Sequence, residues 1–411
     1  MDKKIKVGLF IDTFFPMVDG VIMVVDNYAR RLSKYCDVVV FAPVGRKEYD
    51  DKKLPYKVVR CKTKFPVVFL DYDLPLPSLD AGFKKELKKA DLDLVHIHSP
   101  FTIGKIGLRY AKKHNIPCIA TMHSQFKQDF QKAVKTEGMT NLLLKNVMKV
   151  FNNCYECWAV NDQIARIFVE YGAKTLPKTQ NNGTEMLPFK NDEEVKKLRE
   201  KYKIKEDEKV LLFIGRLTAL KNIFFIADAL KILKDKGFKF KMIYVGTGQD
   251  ADKLKTHIEK LKLKKEVIFT GKITNRDEVA KHYKMADLFL FPSVYDASSL
   301  VQIEAASQGT PTIFLKGAAT AATVTEDRNG YLAENNEEMF AEKIIEIFGD
   351  EKKYNEVSKN AFNELYVTWD NAVEKAFKDY NSVLKRYKKE NKKNENKWTN
   401  KYIICRKWKS V

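Results

Sequence analysis

Two segments of this chain carry residues able to hold a phosphorylated, hydroxyl-rich ligand. One runs through Gly215, Arg216, Lys221 and Asn222; the other runs from Pro292 to Glu304 and holds Asp296 and Glu304 with seven residues between them. Arginine offers a planar fork that matches phosphate oxygens, and lysine adds a point charge. Carboxylates accept hydrogen bonds from sugar hydroxyls. Gly215 follows an apolar run directly, where its small size lets the backbone turn and approach a ligand. Ser298, Ser299 and Leu300 fall where a helix begins, and free amides at a helix start form an anion site. The same serines would also serve as ordinary N-caps. Asp296 precedes that helix as a loop carboxylate, while Glu304 lies past its first turn.

Histidines supply a second group. His96 and His98 alternate along an apolar run and face one side, with His98 at its end; His123 lies just past the next run. His98 and His123 are therefore candidates at a cleft mouth. No metal is expected. The histidines lack a third ligand, Cys154 and Cys157 lack a second pair, and the acid pairs Asp71/Asp73 and Asp91/Asp93 do not clearly end strands.

These residues need a frame that puts strand ends together. Apolar runs at 6–11, 37–42, 93–98, 116–121 and 156–160 alternate with helical patterns, and runs at 209–214, 241–245, 267–270, 287–291 and 310–314 repeat the arrangement. Such alternation predicts an α/β protein with two doubly wound, Rossmann-like parallel-sheet domains. The Pro-, Asn- and Gly-rich stretch 176–190 marks the boundary, giving domains at 1–180 and 181–368, and Asn191 to Glu194 reads as a capping box. In open sheets of this kind ligands bind beyond the carboxyl ends of strands, where Arg216, Lys221, Asp296, His98 and His123 are expected.

The chain has 411 residues, 45% hydrophobic and 31% charged, which suits a globular protein with more than one core. No apolar run reaches the ~20 residues of a bilayer span. The basic start leads into a short apolar run broken at Asp12, which reads as a first strand rather than a signal peptide. A cytoplasmic location is expected. The net charge is +20, which attracts anionic partners. Between Lys385 and Val411 eleven Lys and Arg face only Glu390 and Glu395. Residues 388–411 are expected to form a basic, flexible tail, with Trp398, Tyr402, Ile403, Ile404 and Trp408 as possible interfacial anchors. A helical pattern with Leu142, Leu143, Leu144, Val147 and Met148 beside Lys145 and Lys149 suits either a membrane face or ordinary core packing.

Taken in order, Phe14-Phe15-Pro16 with Asp19-Gly20-Val21, the 93–98 strand, Thr121-Met122-His123, Asn182-Gly183, Gly215-Arg216-Leu217 with Lys221-Asn222, Val245 to Gly248, Phe269 to Gly271, and Asp296-x7-Glu304 resemble the family-4 retaining glycosyltransferases of the GT-B type. In style they are nearest to bacterial lipid and cell-envelope enzymes such as diacylglycerol glucosyltransferases. The resemblance covers residues 5–387 and implies two domains facing across a cleft, with a final helix (369–387) returning to the N-terminal, acceptor-binding domain. It implies that Glu304 holds a nucleotide ribose, Asp296 the donor sugar, and Arg216 and Lys221 the diphosphate. Gly20 would approach the phosphates or the sugar, His123 would flank the sugar, and the backbone near Lys272 would meet the base. Two departures stand out. The first acid is usually Glu, and here it is Asp296, followed by Ala297-Ser298-Ser299 instead of a glycine-rich bend; the loop 317–323 lacks an acidic residue often found there.

The expected activity is transfer of a hexosyl group from a UDP-sugar to diacylglycerol, a glycolipid or a lipid-linked envelope precursor, without metal. The enzyme would work peripherally at the inner membrane face, as a monomer or weak dimer, with no nucleic acid partner. Competing readings are a UDP-sugar 2-epimerase of the same shape and a non-catalytic basic binder of lipid or nucleic acid.

Overall fold

The computed structural model describes residues 4–66, 73–134, 136–294, 296–297 and 300–407. They form two compact units. The first comprises residues 1–160 and 165–181 together with the chain from Trp369 onward; the second comprises 161–164 and 182–368.

In the first unit the order is β1 (Lys6–Phe10), α1 (Gly20–Leu32), β2 (Asp37–Pro43), β3 (Lys57–Cys61), β4 (Lys64–Phe65), β5 (Leu74–Pro75), α2 (Ala81–Lys89), β6 (Leu94–Ile97), α3 (Thr102–His114), β7 (Cys118–Met122), α4 (Phe126–Val134), α5 (Glu137–Phe151), β8 (Glu156–Ala159), α6 (Asp162–Glu170) and β9 (Lys178–Thr179). A parallel seven-stranded sheet runs β3-β2-β1-β6-β7-β8-β9. Its central strands are predominantly apolar because helices cover both faces: Val7, Leu9, Phe10, Leu94, Val95 and Ile97 are fully buried.

The second unit contains α7 (Asp192–Lys201), β10 (Lys209–Ile214), α8 (Ile223–Asp235), β11 (Phe240–Val245), α9 (Ala251–Lys260), β12 (Val267–Gly271), α10 (Arg276–Met285), β13 (Leu288–Leu290), α11 (Leu300–Ser307), β14 (Thr312–Leu315), β15 (Tyr331–Ala333), α12 (Glu337–Gly349) and α13 (Glu351–Leu365). Its parallel sheet runs β12-β11-β10-β13-β14-β15. Asn191 caps α7 as expected, Glu194 N–H donating to Asn191 Oδ1 (3.2 Å), while Glu194 Oε1 accepts from the Asn191 side-chain amide (2.9 Å) in place of the backbone N–H of a full capping box. The edge strands β3, β9 and β15 lacked a clear sequence signal: β9 and β15 are very short, and β3 and β9 carry basic residues.

The last helix, α14 (Trp369–Lys407), belongs to the first unit. It buries Trp369, Ala372, Val373, Ala376, Tyr380 and Val383. Tyr380 stacks on Trp158 with centroids 5.4 Å apart and 10° between planes, and its hydroxyl lies 2.6 Å from His96 Nδ1. The expected end of this helix at residue 387 is corrected, for the helix continues to Lys407. Side chains around the expected end anchor it there: Arg386 pairs with Glu156, Tyr155 donates to Glu390 (3.0 Å), and Tyr387 donates to Asn115 Oδ1 (3.0 Å). Trp408 lies outside the described residues.

Helix α5 divides its apolar side chains. Leu144, Val147 and Met148 are buried, whereas Met139 and Leu142 remain exposed beside exposed Lys145 and Lys149. Among the described residues no helix is long and apolar enough to cross a membrane.

Because Tyr380 fills the core between α14 and the first sheet, Tyr380→Ala is expected to destabilise the first unit by about 3–5 kcal/mol. Urea denaturation followed by tryptophan fluorescence will measure it through Trp158 and Trp369.

Candidate functional site

Both sheets reverse their direction of growth at one point. In the first the reversal lies between β1 and β6, and in the second between β10 and β13. Loops leaving adjacent parallel strands in opposite directions open a crevice at their carboxyl ends. Most of the described site residues gather near these two places, whereas Lys272 follows the edge strand β12.

In the second unit Gly215 and Arg216 follow β10 directly. Gly215 N–H donates to Val245 O (3.0 Å) and Leu217 N–H to Thr247 O (3.0 Å), so this loop lies on the Val245–Gly248 turn. The glycines of that turn serve close approach. Gly246 has φ +141°, and a Cβ there would stand 2.0 Å from Gly215 O. Lys221 ends a short 3-10 turn, and Asn222 adopts a left-handed conformation (φ 55°), which asparagine tolerates well. Asn222 Nδ2 donates to Pro292 O (2.8 Å), tying the β10 loop to the β13 loop.

That tie brings the two predicted segments together. Lys221 Nζ lies 2.5 Å from both oxygens of Asp296, and Ser293 Oγ donates to Asp296 Oδ2 (2.7 Å). Asp296 precedes α11 and Glu304 lies within it, as read from the sequence. Glu304 accepts from Arg276 Nη2 (2.5 Å) and from the Tyr283 hydroxyl (3.3 Å). Leu300 is the first residue of α11, and Lys272 stands exposed just past β12. Arg216 is exposed. Ser298 and Ser299 lie outside the described residues.

Sequence reasoning missed Arg276, Tyr283 and Ser293. Asn275 caps α10 through Asp277 N–H (2.8 Å) and Glu278 N–H (3.1 Å), which marks Arg276 as a first-turn residue. Only the packing of α10 against α11 reveals that it reaches Glu304. Each candidate acid is thus countered by a cation, so a ligand hydroxyl or phosphate must take over one side of an existing ion pair.

In the first unit the β1 loop carries a buried carboxylate that sequence reading treated only as a strand terminator. Asp12 accepts from the Ser99 hydroxyl (3.1 Å), the Thr102 hydroxyl (3.0 Å) and the amides of Phe101 (3.2 Å), Ile103 (2.7 Å) and Gly104 (3.4 Å). It therefore joins the β1 loop to the start of α3. Burial raises its pKa, and these donors pull it back only in part. Gly20 opens α1, whose cap is Asp19, and a Cβ on Gly20 would meet nothing within 4 Å.

The histidines do converge. His98 Nδ1 lies 3.0 Å from His123 Nε2, and their rings stack 5.3 Å apart. His96 is bracketed by Tyr380 and, through Nε2, by the Thr121 hydroxyl (2.7 Å). Burial pushes the pKa of all three down, that of His123 to about 3. They are therefore neutral at pH 7, able to donate and accept hydrogen bonds but not to act as cations.

The acid pairs have structural partners. Asp73 pairs with Arg46 (2.9 Å) and Lys64 (2.8 Å), and Asp93 accepts from Lys6 N–H (2.8 Å); Asp71 lies outside the described residues. Cys154 faces Cys118 with 3.7 Å between sulfurs.

Two outcomes follow from this geometry. Gly246→Ala is expected to lower stability by more than about 1 kcal/mol, since it combines a forbidden φ with a backbone clash; a thermal melt will measure it. The buried histidines bear on acid stability. Below the ordinary imidazole pKa of about 6.5 the unfolded chain takes up protons that the folded protein refuses, so stability falls as pH drops. Each histidine contributes a slope of up to about 1.4 kcal/mol per pH unit between about 6.5 and its folded value. Denaturant midpoints from pH 7.5 to 4.5 should therefore decline before carboxylates titrate, and less steeply in His98→Gln.

Comparison with known proteins agrees with this architecture. Residues 18–183 match the family model described as Glycosyltransferase Family 4, and residues 194–364 match that described as Glycosyl transferases group 1. The chain is 28% identical over 319 residues to an alpha-monoglucosyldiacylglycerol synthase of Streptococcus pneumoniae, covering 75% of this chain and 70% of that one. It is 27% identical over 381 residues to the alpha-monoglucosyldiacylglycerol synthase of Acholeplasma laidlawii, covering 87% and 91%. The structure of Anabaena Alr3699/HepE in complex with UDP superposes with a TM-score of 0.73 at 17% identity, covering 92% of this chain and all of that one. With a family-4 match on the first unit and a group-1 match on the second, the chain belongs to the GT-B glycosyltransferases.

Proposed function

We propose that this glycosyltransferase moves a hexosyl group from a UDP-sugar to a membrane-associated lipid acceptor, with retention of anomeric configuration and without metal. The observation that carries the donor side is the meeting of Lys221 with Asp296 at the β10/β13 reversal, with Glu304 on the helix that follows. In this reading Arg216 and Lys221 neutralise the diphosphate, Glu304 takes the ribose hydroxyls, and Asp296 reads the donor sugar. The backbone near Lys272 meets the base, and the α11 start at Leu300, which Ser298 and Ser299 precede in sequence, adds amides. The β1 loop at Gly20 and Gly215 just past β10 offer close backbone approach.

The electrostatics suit such a step. Charge develops on the leaving diphosphate, and cations already fixed in place stabilise it more in the transition state than in the ground state. Lys221 would exchange Asp296 for phosphate, releasing that carboxylate to the sugar. Neutral His123, held by His98, would meet the sugar or the acceptor as a hydrogen-bonding group. Same-face attack, with the leaving phosphate accepting the acceptor's proton, gives retention without a protein nucleophile.

The acceptor class draws support from the two synthase relatives and from the surface. Exposed Met139 and Leu142 with Lys145 and Lys149 on α5, and the basic length of α14, suit an anionic membrane face. A peripheral enzyme on the inner face, monomeric or weakly dimeric and without a nucleic acid partner, fits this picture.

UDP release over a panel of UDP-sugars, with anionic vesicles carrying either diacylglycerol or a glycosylated diacylglycerol, tests the proposal. Glu304→Ala should raise the donor KM by about ten-fold or more, as loss of charge-assisted hydrogen bonds costs about 1.5–3 kcal/mol. Gly20→Ala should leave the thermal midpoint unchanged, because its Cβ meets nothing, yet depress kcat/KM. If no UDP-sugar binds or turns over, and both variants match the parent, the proposal is lost.

A further inference from the structure

A cleft of about 540 Å³ opens in the first unit beyond the ends of β1, β2 and β3, lined by Phe15, residues 44–51 and Arg60. It is built rather than incidental. A Cβ on Gly45 would stand 2.6 Å from Pro16 Cδ, so only glycine lets the β2 loop close against the β1 loop. That contact sets Phe15 beside Tyr49, with the rings stacked 5.2 Å apart at 16°. Arg60 fixes the floor: it donates to Pro43 O (2.6 Å) and to both Asp51 oxygens (2.6 and 2.9 Å), and its guanidinium lies over the Phe14 ring.

The chemistry of the lining selects among ligands. Arg46, Lys47 and Arg60 are balanced by Glu48, Asp50 and Asp51. Arg60 is already spent on Asp51, and Arg46 is bonded to Asp73 (2.9 Å). A phosphate would find little unopposed positive charge. An uncharged polyol would find donors and acceptors of both kinds, together with an aromatic pair for its apolar C–H face. The volume suits one small ring with its substituents.

We infer that this cleft is a subsite for the sugar of a glycosylated acceptor, so that the chain extends a glycolipid head group rather than glycosylating a bare diacylglycerol. The inference rests on the glycosyl-transfer reading above, and it names the acceptor that reading leaves open. Tyr49 is the specificity-determining residue: it is 37% exposed, so its loss removes a platform and not a core contact.

Two measurements on the full chain test it. The first is calorimetric titration with octyl α-glucoside below its micellar concentration, and with octyl phosphate as the charged control. The parent should bind the glucoside and not the phosphate, and Tyr49→Ala should weaken glucoside binding about ten-fold at an unchanged thermal midpoint. The second is UDP release with vesicles carrying either diacylglycerol or α-glucosyl-diacylglycerol. The glucosylated acceptor should be preferred, with its KM raised about ten-fold by Tyr49→Ala and the donor KM unaltered. Preference for octyl phosphate, or equal glucoside affinity in parent and variant, overturns the subsite. So does turnover on diacylglycerol alone, an outcome that leaves the transfer reading standing. Tyr49-dependent glucoside binding without turnover of any UDP-sugar has the opposite meaning: the sugar subsite stands and the transfer reading fails.

Discussion

Parallel strands cannot be joined by tight turns. Each strand must hand its chain to a crossover, so the strands of one sheet all end at one edge. Both units accept this constraint, and both reverse their winding once, between β1 and β6 and between β10 and β13. Everything chemical in the chain depends on those reversals. Loops that would otherwise crowd one another diverge there, and polar side chains can point into the gap without leaving backbone groups unpaired.

Holding such loops in place takes specific polar bonds, because the hydrophobic core ends where the strands end. Asp12 does this in the first unit, gathering the start of α3 onto the β1 loop with three amides and two hydroxyls. Asn222 does it in the second, joining the β10 and β13 loops through Pro292 O. Asp12 sits two residues past β1 and Asn222 eight past β10, and neither stands out in a list of site residues. Their work lets Lys221 meet Asp296 and lets the β1 loop stand beside the β6 loop.

Much of the fold was legible in the residues alone. Central strands of a parallel sheet are buried on both faces, so β1, β6, β10 and β13 appear as predominantly apolar runs, β6 carrying only His96 among its apolar residues. Helix ends were legible where caps announce them, as at Asn191. Edge strands such as β3 were not, since an edge position tolerates lysine and arginine. The end of α14 was misjudged because its sequence after Tyr387 has no apolar stripe. Around residues 386–390 it is anchored by Glu156, Tyr155 and Asn115, which come from distant parts of the chain. The candidate site divides the same way. Arg216, Lys221, Asp296, Glu304, His98 and His123 announce themselves by type and position, whereas Arg276, Ser293 and Asp12 act through partners remote in sequence.

The sequence by itself determined the class of structure, the family and the kinds of group available: two acids, two cations, a set of histidines and the glycines between them. It did so because strand burial, helix capping and motif spacing are local properties, readable within one stretch of chain. Only the tertiary structure decided which of those groups meet. It paired Lys221 with Asp296 and Arg276 with Glu304, stacked His98 on His123, and set Phe15 against Tyr49. Such pairings depend on strand order, which places neighbours by the route of the crossovers and not by their distance along the chain.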